Sequence, residues 1–479
     1  ALRSRPFRPG GTIGGAMDRS PLRRAAVVVI AAAALLLGTG CSVVVVGRPS
    51  AQEPPVQNAR TDELTVVGAA DDPVDVLARN ALADLERYWA DRFPEVFGTE
   101  FVPLEGGYFS VDPDDVDPGQ YPQGIGCGAD PREVEGNAFY CQAARAPNSD
   151  AISYDRSYLG ELADGYGRFI PALVMAHEFG HAVQARVGYP RTSIATETQA
   201  DCLAGAWTAW VAAGEAEHSR IREPELDELL RGYLLLRDPV GTGTGAAQAH
   251  GSYFDRVSAF QEGFDSGPEA CRDRFGPDRI FTQGEFTSDE DLRSGGNAPY
   301  PEIEDIIARS LPEFWERAFT EVFDDRFDPP AIEAFAGDPP RCAEDDVDLV
   351  HCPGEQLVAY DEEDLARPAY EELGDFAVAT AVAIPYALAA REQLDLSSDD
   401  PEALRSAVCL AGWYAAQVYN GNLTRVTISP GDIDESVQFL LEYGNDPQVL
   451  GSMELSGFQL VDLFRGGFLE GAGACDVGV

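Results

Sequence analysis

Lysine is absent from the sequence, so all 35 basic residues are arginines, and they are outnumbered by 81 acidic residues. The formal net charge of the 479-residue chain is therefore −46 at pH 7. A surface this acidic repels the phosphates of nucleic acids and the headgroups of anionic lipids. The composition thus argues against a nucleic-acid-binding protein and against a protein that docks on anionic membranes through its charge.

Charge is also missing from one long stretch near the start of the chain, Ala25–Gly47. Arginines precede it, its apolar run ends at Leu37, and small residues lead to Cys41, an order typical of a secretory signal. The residues before Cys41 resemble a lipobox, although Gly38 stands where a large apolar residue is expected. The alternative is an uncleaved anchor, because about 20 apolar residues span a bilayer. Both alternatives predict an exported chain held at the cell membrane and facing outside, with Cys41 lipidated in the first.

Cysteine occurs nine times, without any Cys-x-x-Cys pair, which weakens the case for a cysteine metal site. Eight cysteines remain beside Cys41, and an even number in an exported chain indicates disulfide bonds. The candidates are Cys127, Cys141, Cys202, Cys271, Cys342, Cys352, Cys409 and Cys475. Free buried thiols and a second metal site are the alternatives.

The residues His177-Glu-Phe-Gly-His181 have the spacing of a metal site. Two histidines four apart lie one turn apart on the same face of a helix, so both imidazoles reach one metal ion. Glu178 then lies beside the metal, where it takes a proton from bound water. The flanking sequence predicts a helix over Ile170–Val187, which Gly188 and Pro190 end. A chance match on an ordinary amphipathic helix is the alternative.

A second acidic stretch supplies the remaining metal ligand. Catalytic zinc sites have three protein ligands and leave a fourth position for water. Glu197 is the obvious third ligand. Asp201, one turn further along the next predicted helix, can accept the outer N–H of a zinc histidine and fix its tautomer. A solvated acidic face is the alternative, but the histidines just upstream favour the metal.

These two motifs, HEFGH from His177 and ETQADCLAGAW from Glu197, resemble the neutral zinc metallopeptidase family, which is similar to the thermolysin-like arrangement HExxH…ExxxD. The likeness extends from about Ala81 to Phe275. It implies a zincin-like fold, bound Zn²⁺ and peptide or protein substrates. It also places His250 at a matching position, where its imidazole, or the phenol of Tyr253, could lie near the developing oxyanion. A loop histidine at a helix start is the alternative.

The chain also repeats itself weakly, at a period of about 207 residues. Phe169–Ala182 aligns without gaps on Phe376–Ala389, and Cys202-Leu-Ala-Gly aligns on Cys409-Leu-Ala-Gly at the same offset. The repeat predicts a disulfide connectivity that spacing alone does not. The predicted pairs are Cys127–Cys141, Cys202–Cys271, Cys342–Cys352 and Cys409–Cys475.

The second copy lacks the chemical groups of the first. Apolar residues stand at the positions of the three ligands, the glutamate and the aspartate: Ile384, Leu388, Leu404, Pro385 and Val408. None of these side chains binds zinc, and Pro385 is expected to bend or shorten its helix. We therefore predict one zinc ion per chain and a degenerate, metal-free second copy.

The predicted fold is an α+β, mainly helical, zincin-like metallopeptidase domain in tandem duplication. Residues 1–47 are predicted as leader plus signal or anchor, 48–61 as linker, 62–285 as the zinc domain and 300–479 as the degenerate repeat. Strands are expected within Phe97–Val111 and at Ala151–Tyr154. The expected helices of the first copy are Val74–Phe93, Ile170–Val187, Thr196–Ala213, Glu225–Arg237 and Tyr253–Asp265.

The predicted function is zinc-dependent hydrolysis of peptide bonds in the bacterial cell envelope. Zinc on His177, His181 and Glu197 lowers the pKa of bound water to about 7, and Glu178 takes the proton and delivers it to the leaving amine. The alternative is an envelope-anchored binding or scaffold protein with a structural or relictual zinc site. Against this alternative, the first copy retains Glu178, which a structural site does not require.

Overall fold

The computed structural model of this protein describes residues 56–343, 347–450 and 455–479, in which helices predominate over strands. The strands are β1 (Val66–Val67), β2 (Gly107–Val111), β3 (Ala138–Cys141), β4 (Ala151–Asp155), β5 (Ala331–Phe335), β6 (Leu349–Cys352) and β7 (Leu357–Asp361). The helices are α1 (Pro73–Phe97), α2 (Arg156–Tyr166), α3 (Ile170–Val187), α4 (Ser193–Ala212), α5 (Glu223–Leu236), α6 (Tyr253–Asp273), α7 (Asp289–Ser294), α8 (Tyr300–Ala318), α9 (Arg367–Glu372), α10 (Asp375–Gln393), α11 (Pro401–Tyr419), α12 (Asp432–Glu442) and α13 (Gly457–Glu470). The predicted mixed and mainly helical fold is confirmed.

Each half of the chain contains a small mixed sheet. The first has the strand order β1-β2-β4-β3, with β2 parallel and β3 antiparallel to β4. The second has the order β5-β7-β6, with β5 parallel and β6 antiparallel to β7. The central strands end at Asp155 and Asp361, which accept hydrogen bonds from N–H groups two and three residues later. Because β3 comes last in the order of the first sheet, it is an edge strand.

Helix α3 is the helix predicted around the two histidines, with both predicted ends. Pro171 lies in its first turn, where a missing N–H costs no helical hydrogen bond. Gly188 ends it with a φ of 103°, which glycine adopts without strain. A Cβ on Gly180 would lie 2.9 Å from the Ala200 Cα, so glycine there allows α4 to pack closely on α3. This close approach brings the acidic start of α4 to the histidines.

The packing of α4 on α6 recurs in the second half. A side chain on Gly205 of α4 would collide with the carbonyl oxygen of Phe260 in α6. In the same way, a side chain on Gly412 of α11 would collide with the carbonyl oxygen of Phe464 in α13. One disulfide joins α4 to α6, another joins α11 to the segment just after α13, and a further disulfide lies near each sheet. The four bonds are Cys127–Cys141, Cys202–Cys271, Cys342–Cys352 and Cys409–Cys475, as predicted.

The two halves exchange helix caps. Asp227 of α5 accepts hydrogen bonds of 2.9 and 2.7 Å from the first two N–H groups of α13. Asp434 of α12 accepts bonds of 3.1 and 2.9 Å from the first two N–H groups of α6. Each half thus caps a helix of the other half with an aspartate.

Aromatic contacts follow the same exchange. The ring of Phe254 packs on Phe468 with centroids 4.8 Å apart, and that of Phe264 packs on Phe458 with centroids 4.9 Å apart. One hydrophobic core includes residues of both halves. Since the caps and the rings are exchanged reciprocally, the arrangement is that of an approximate two-fold axis between the halves.

One local prediction is confirmed and another is wrong in part. The strand expected within Phe97–Val111 is β2, Gly107–Val111, which lies beyond the end of α1 at Phe97. Helix α10 is not shortened by Pro385, since it continues through that residue from Asp375 to Gln393. The lost hydrogen bond of a proline is offset there because α10 is buried along most of its length, and tertiary packing supplies most helical stability.

The predicted leader, signal and lipidation candidate Cys41 lie outside the described residues. Within the part that the structure does describe, no helix is both long enough and apolar enough to cross a bilayer. The domain limits at residues 285 and 300 stay predictions.

Candidate metal centre

Helices α3 and α4 bring together the three side chains predicted to hold a metal. The Nε2 atoms of His177 and His181 lie 3.2 Å apart. The Oε2 atom of Glu197 lies 3.3 Å from the first and 3.5 Å from the second. Ligand atoms about 2.0–2.1 Å from a tetrahedral zinc ion lie roughly 3.3 Å from one another. The spacing of these three atoms therefore fits one zinc ion.

Glu197 is held in the form that binds metal. Burial by itself raises the pKa of its carboxyl, but hydrogen bonds with His177 and His181 hold that pKa well below its ordinary value. A carboxylate must be ionised to ligate a metal. The three groups thus combine two neutral nitrogen donors and one anionic oxygen donor, a donor set that zinc accepts in catalytic sites.

A buried ion pair orients His177. Its Nδ1 lies 2.8 Å from Asp201 Oδ1, and Arg256 donates two hydrogen bonds of 2.8 Å to the same carboxylate. Burial by itself lowers the pKa of His177, but the negative charges of Asp201 and of the nearby glutamates raise it, and a metal ion binds by replacing the proton on Nε2. The contact fixes the proton on Nδ1 and leaves Nε2 turned toward the other ligands. Asp201 therefore lies beside the outer nitrogen of His177, as the sequence predicts. The positive charge of Arg256 balances the negative charge of Asp201.

Gln184 plays the same part for His181, and the sequence reasoning missed it. Its Oε1 lies 2.8 Å from His181 Nδ1, and its amide nitrogen donates to the carbonyl of Thr196 at 2.7 Å and to Gln199 at 3.0 Å. Gln184 is fully buried. Its position three residues after His181, on the same helix face, is the signal that could have found it.

Glu178 lies next to the ligand cluster and is buried. Its Oε2 accepts a hydrogen bond of 2.7 Å from the backbone N–H of Tyr140 in strand β3. Burial raises the pKa of the carboxyl above its ordinary value, and the neighbouring His177 and His181 oppose this rise. A raised pKa makes the ionised carboxylate a stronger base toward the proton of a neighbouring water.

These side chains line a cleft of about 350 Å³. Edge strand β3 forms one part of its wall, and apolar side chains of α2 and α3 form another. The cleft-lining apolar residues are Leu159, Leu162, Val174 and Leu236. The site is thus an open groove, and the outer edge of strand β3, which pairs only with β4 among the described strands, lies beside the candidate ligands.

His250 lies at this cleft, whereas Tyr253 is not among the lining residues. The side chain of His250 is 46% exposed, and its Nδ1 lies 3.1 Å from Asp238 Oδ1. The hydroxyl of Tyr253 is buried and donates to the carbonyl of Leu230 at 2.9 Å. The suggested role of the Tyr253 phenol is therefore wrong, because its only proton serves the packing of α5 on α6.

A comparison with known families assigns the chain. The family model described as "Putative neutral zinc metallopeptidase" matches residues 4–275, which include every residue of the centre described above. The chain belongs to this family. Membership in this zinc metallopeptidase family implies hydrolase chemistry, Zn²⁺ and peptide or protein substrates.

The curated relatives that the chain matches are named as uncharacterized proteins. "Uncharacterized protein YpfJ" of Escherichia coli K12 is 29% identical over 176 residues, which cover 32% of this chain and 58% of that protein. "Uncharacterized protein Rv2575" of Mycobacterium tuberculosis H37Rv is 28% identical over 172 residues, which cover 31% and 58%. The chain thus spans little more than half the length of these relatives. No solved structure gives a significant match.

Proposed function

We propose that this protein is a zinc-dependent peptidase whose metal is held by His177, His181 and Glu197. The observation that carries the proposal is the set of distances between the three ligand atoms, 3.2, 3.3 and 3.5 Å. A structural zinc site usually closes its fourth position with a protein ligand. Here the neighbouring acidic group is Glu178, which fits the role of a proton carrier. Bound zinc supplies Lewis acidity that makes water a nucleophile near neutral pH.

The chain's own residues position and move the proton. Asp201 and Gln184 hold the Nδ1 atoms of the two histidines, so both Nε2 atoms keep their lone pairs for the metal. Glu178 takes a proton from the attacking water and passes it to the leaving amine. The backbone N–H of Tyr140 holds that carboxyl in place between the two transfers.

The cleft suits an extended peptide. Residues 137–140 line it, and β3 pairs with β4 on one side only. An added strand pairs with the outward backbone groups of an edge strand. On β3 these are the carbonyls, since the outward N–H groups of Ala138 and Tyr140 already donate to Asn137 and Glu178. A peptide bound along β3 would lie beside Glu178, because Tyr140 belongs to that strand.

The second half is proposed to be a degenerate copy of the first, without a zinc site. The strand order β5-β7-β6 corresponds to β2-β4-β3 of the first half, which has β1 in addition. The close helix pairs, disulfides and exchanged caps also correspond. The residues in place of the ligands, Ile384, Leu388 and Leu404, have no lone pair for a metal. We accordingly propose one zinc ion per chain.

The location outside the cytoplasm also stays a proposal. The sequence around Cys41 supports export with a lipid or helical membrane anchor. The four disulfides support it independently, because such bonds persist in oxidising compartments.

The test combines metal analysis with one conservative change. We expect the exported region to contain one zinc per chain and to cleave peptides, and we expect Glu178→Gln to keep the zinc and lose activity by about 10³-fold. Peptide libraries read by mass spectrometry measure cleavage, and elemental analysis measures zinc. A Glu178→Gln variant with full activity would refute the assignment of the proton carrier. Bound zinc with no cleavage by the unaltered protein would instead support a binding or scaffold protein.

A further inference from the structure

Three buried carboxyl groups meet in the second half, away from the zinc centre. Asp375, Asp432 and Glu435 each place one carboxylate oxygen within 4.8 Å of the others. Asp432 is 3% exposed. Its Oδ1 and the Oδ1 of Asp375 are buried and accept no hydrogen bond from the described residues. Burial comes first among the causes that raise the pKa of Glu435, and repulsion from Asp375 adds to it. The described residues leave this negative charge without a partner of opposite sign.

The other oxygens of the cluster are held in place by the backbone. Asp375 Oδ2 accepts from the N–H of Ala298 at 2.8 Å, and Asp432 Oδ2 accepts from the N–H of Ser429 at 2.7 Å. Glu435 Oε2 accepts from the N–H of Phe376 at 2.8 Å. Each carboxylate is therefore fixed through one oxygen, and two of them present a second oxygen that nothing in the described chain satisfies.

In the first half, an ion pair occupies the position that is equivalent to this carboxyl cluster. Arg168 precedes the aligned Phe169, as Asp375 precedes Phe376, and Glu225 stands where the second copy has Asp432. In the first half the Arg168 guanidinium contacts both oxygens of Glu225, at 2.5 and 3.2 Å. The second half has a carboxylate in place of that cation. Carboxyl groups that face each other away from water are satisfied by a shared proton or by a cation between them.

We propose that Asp375, Asp432 and Glu435 bind a divalent metal ion with oxygen ligands, Ca²⁺ or Mg²⁺, which takes the place of the missing arginine. Carboxylate oxygens are the ligands of these hard cations, whereas zinc prefers nitrogen and sulfur. Asp375 and Asp432 line a cavity of about 380 Å³, through which an ion can enter with its remaining waters. Arg425 also lines this cavity, but its charge acts on Glu313 at the surface.

The experiment titrates the zinc-loaded full-length chain with CaCl₂, and in a parallel arm with MgCl₂. Isothermal titration calorimetry gives stoichiometry and affinity, and scanning calorimetry gives Tm. We expect one Ca²⁺ or Mg²⁺ per chain and a Tm that rises with its concentration. Asp432→Asn should weaken binding by about 10–100-fold. Binding of Mg²⁺ in place of Ca²⁺, with the same loss in the variant, would support the same site.

Three further variants keep the test decisive if Asp432→Asn fails to fold. Asp375→Arg combined with Asp432→Glu installs the pair of the first half, and its Tm should no longer respond to the ion. Glu435→Gln should weaken binding, while Glu228→Gln, the equivalent change in the first half, should leave it unaltered within about twofold. No binding up to about 10 mM ion, or equal effects of Glu435→Gln and Glu228→Gln, would overturn the proposal.

Discussion

The two halves of the molecule share a strand order, and each has a close helix pair and two disulfides, but among the described residues the two histidines and the glutamate meet only in the first half. Helix α3 carries His177 and His181, whereas α10 has Ile384 and Leu388 at the aligned positions. The features that both halves share are glycine contacts, helix caps and disulfides. These act on the backbone and do not depend on the side chains of the candidate metal site. The comparison teaches that this scaffold can form without the metal ligands.

The halves also differ in the residues that pack behind His177 and behind the equivalent residue of the second half, Ile384. In the first half, Asp201 and Arg256 form a buried ion pair. In the second half, Val408 stands in place of Asp201. Leu460, four residues before Phe464 as Arg256 is four residues before Phe260, stands in place of Arg256, and both apolar residues are fully buried. A buried ion pair contributes little net stability compared with apolar side chains of similar volume. The ion pair is therefore retained in the first half for the orientation of His177 rather than for stability.

The largest expected effect distinguishes α3 from α10, the helix that aligns with it in the second half. His177→Ala should abolish zinc binding, because one of three protein ligands is lost. Ile384→Ala should keep the zinc and lower the free energy of unfolding by about 2–5 kcal/mol, as expected for a core side chain that is truncated. Elemental analysis and chemical denaturation measure the two effects. Zinc retained in full by His177→Ala would break the comparison.

The ion pair can be converted into its apolar counterpart. Arg256→Leu alone leaves Asp201 buried without a cation, so we expect a loss of about 3–5 kcal/mol in unfolding free energy and a 10–100-fold weaker zinc affinity. Adding Asp201→Val should restore most of the stability but not the affinity. Denaturation and competition with a zinc chelator form the double-mutant cycle. Recovery of zinc affinity in the double variant would show that the pair does not orient the ligand.

The exchanged caps give a smaller and more selective effect. Asp434→Asn and Asp227→Asn each weaken one helix cap, at a cost of about 1 kcal/mol in unfolding free energy. Asp434 holds the start of α6, which carries Arg256, and it also pairs with Arg237. We therefore expect only Asp434→Asn to weaken zinc binding, by a few-fold.

Asp227→Asn is the control for Asp434→Asn, because it weakens the equivalent helix cap in the other half. Competition with a zinc chelator compares both proteins at the same fraction folded. Equal zinc affinities for Asp434→Asn and Asp227→Asn would mean that the second half stabilises the first without supporting its metal centre.

The smallest expected effect on zinc binding and stability concerns His250. If it stabilises the developing oxyanion, His250→Ala should lower kcat by roughly tenfold, below the loss for an enclosed donor, because water can replace an exposed ring. Zinc content and Tm should not change, since its contact is with Asp238 at the cleft. Steady-state kinetics measures the difference. An unchanged kcat would leave His250 with a structural contact only.

Local patterns predicted much of this molecule. The limits of α3 follow from Pro171 and Gly188, which act within one turn of the helix ends. The cysteine pairs follow from the repeat, because both copies keep the same bonds. The continuation of α10 through Pro385 was not predicted, since the cost of a proline is local but the packing that offsets it comes from distant residues.

The sequence by itself determined the metal-binding residue types, their spacing on α3 and their loss in the second copy. Only the tertiary structure decided that Gln184 orients His181, that the Tyr253 hydroxyl is used in packing, and that the halves exchange caps. It also decided that Asp375 and Asp432 meet where the first half has an ion pair. The physical reason is range: spacing along a helix is set by neighbouring residues, whereas burial and charge balance depend on side chains far apart in the chain.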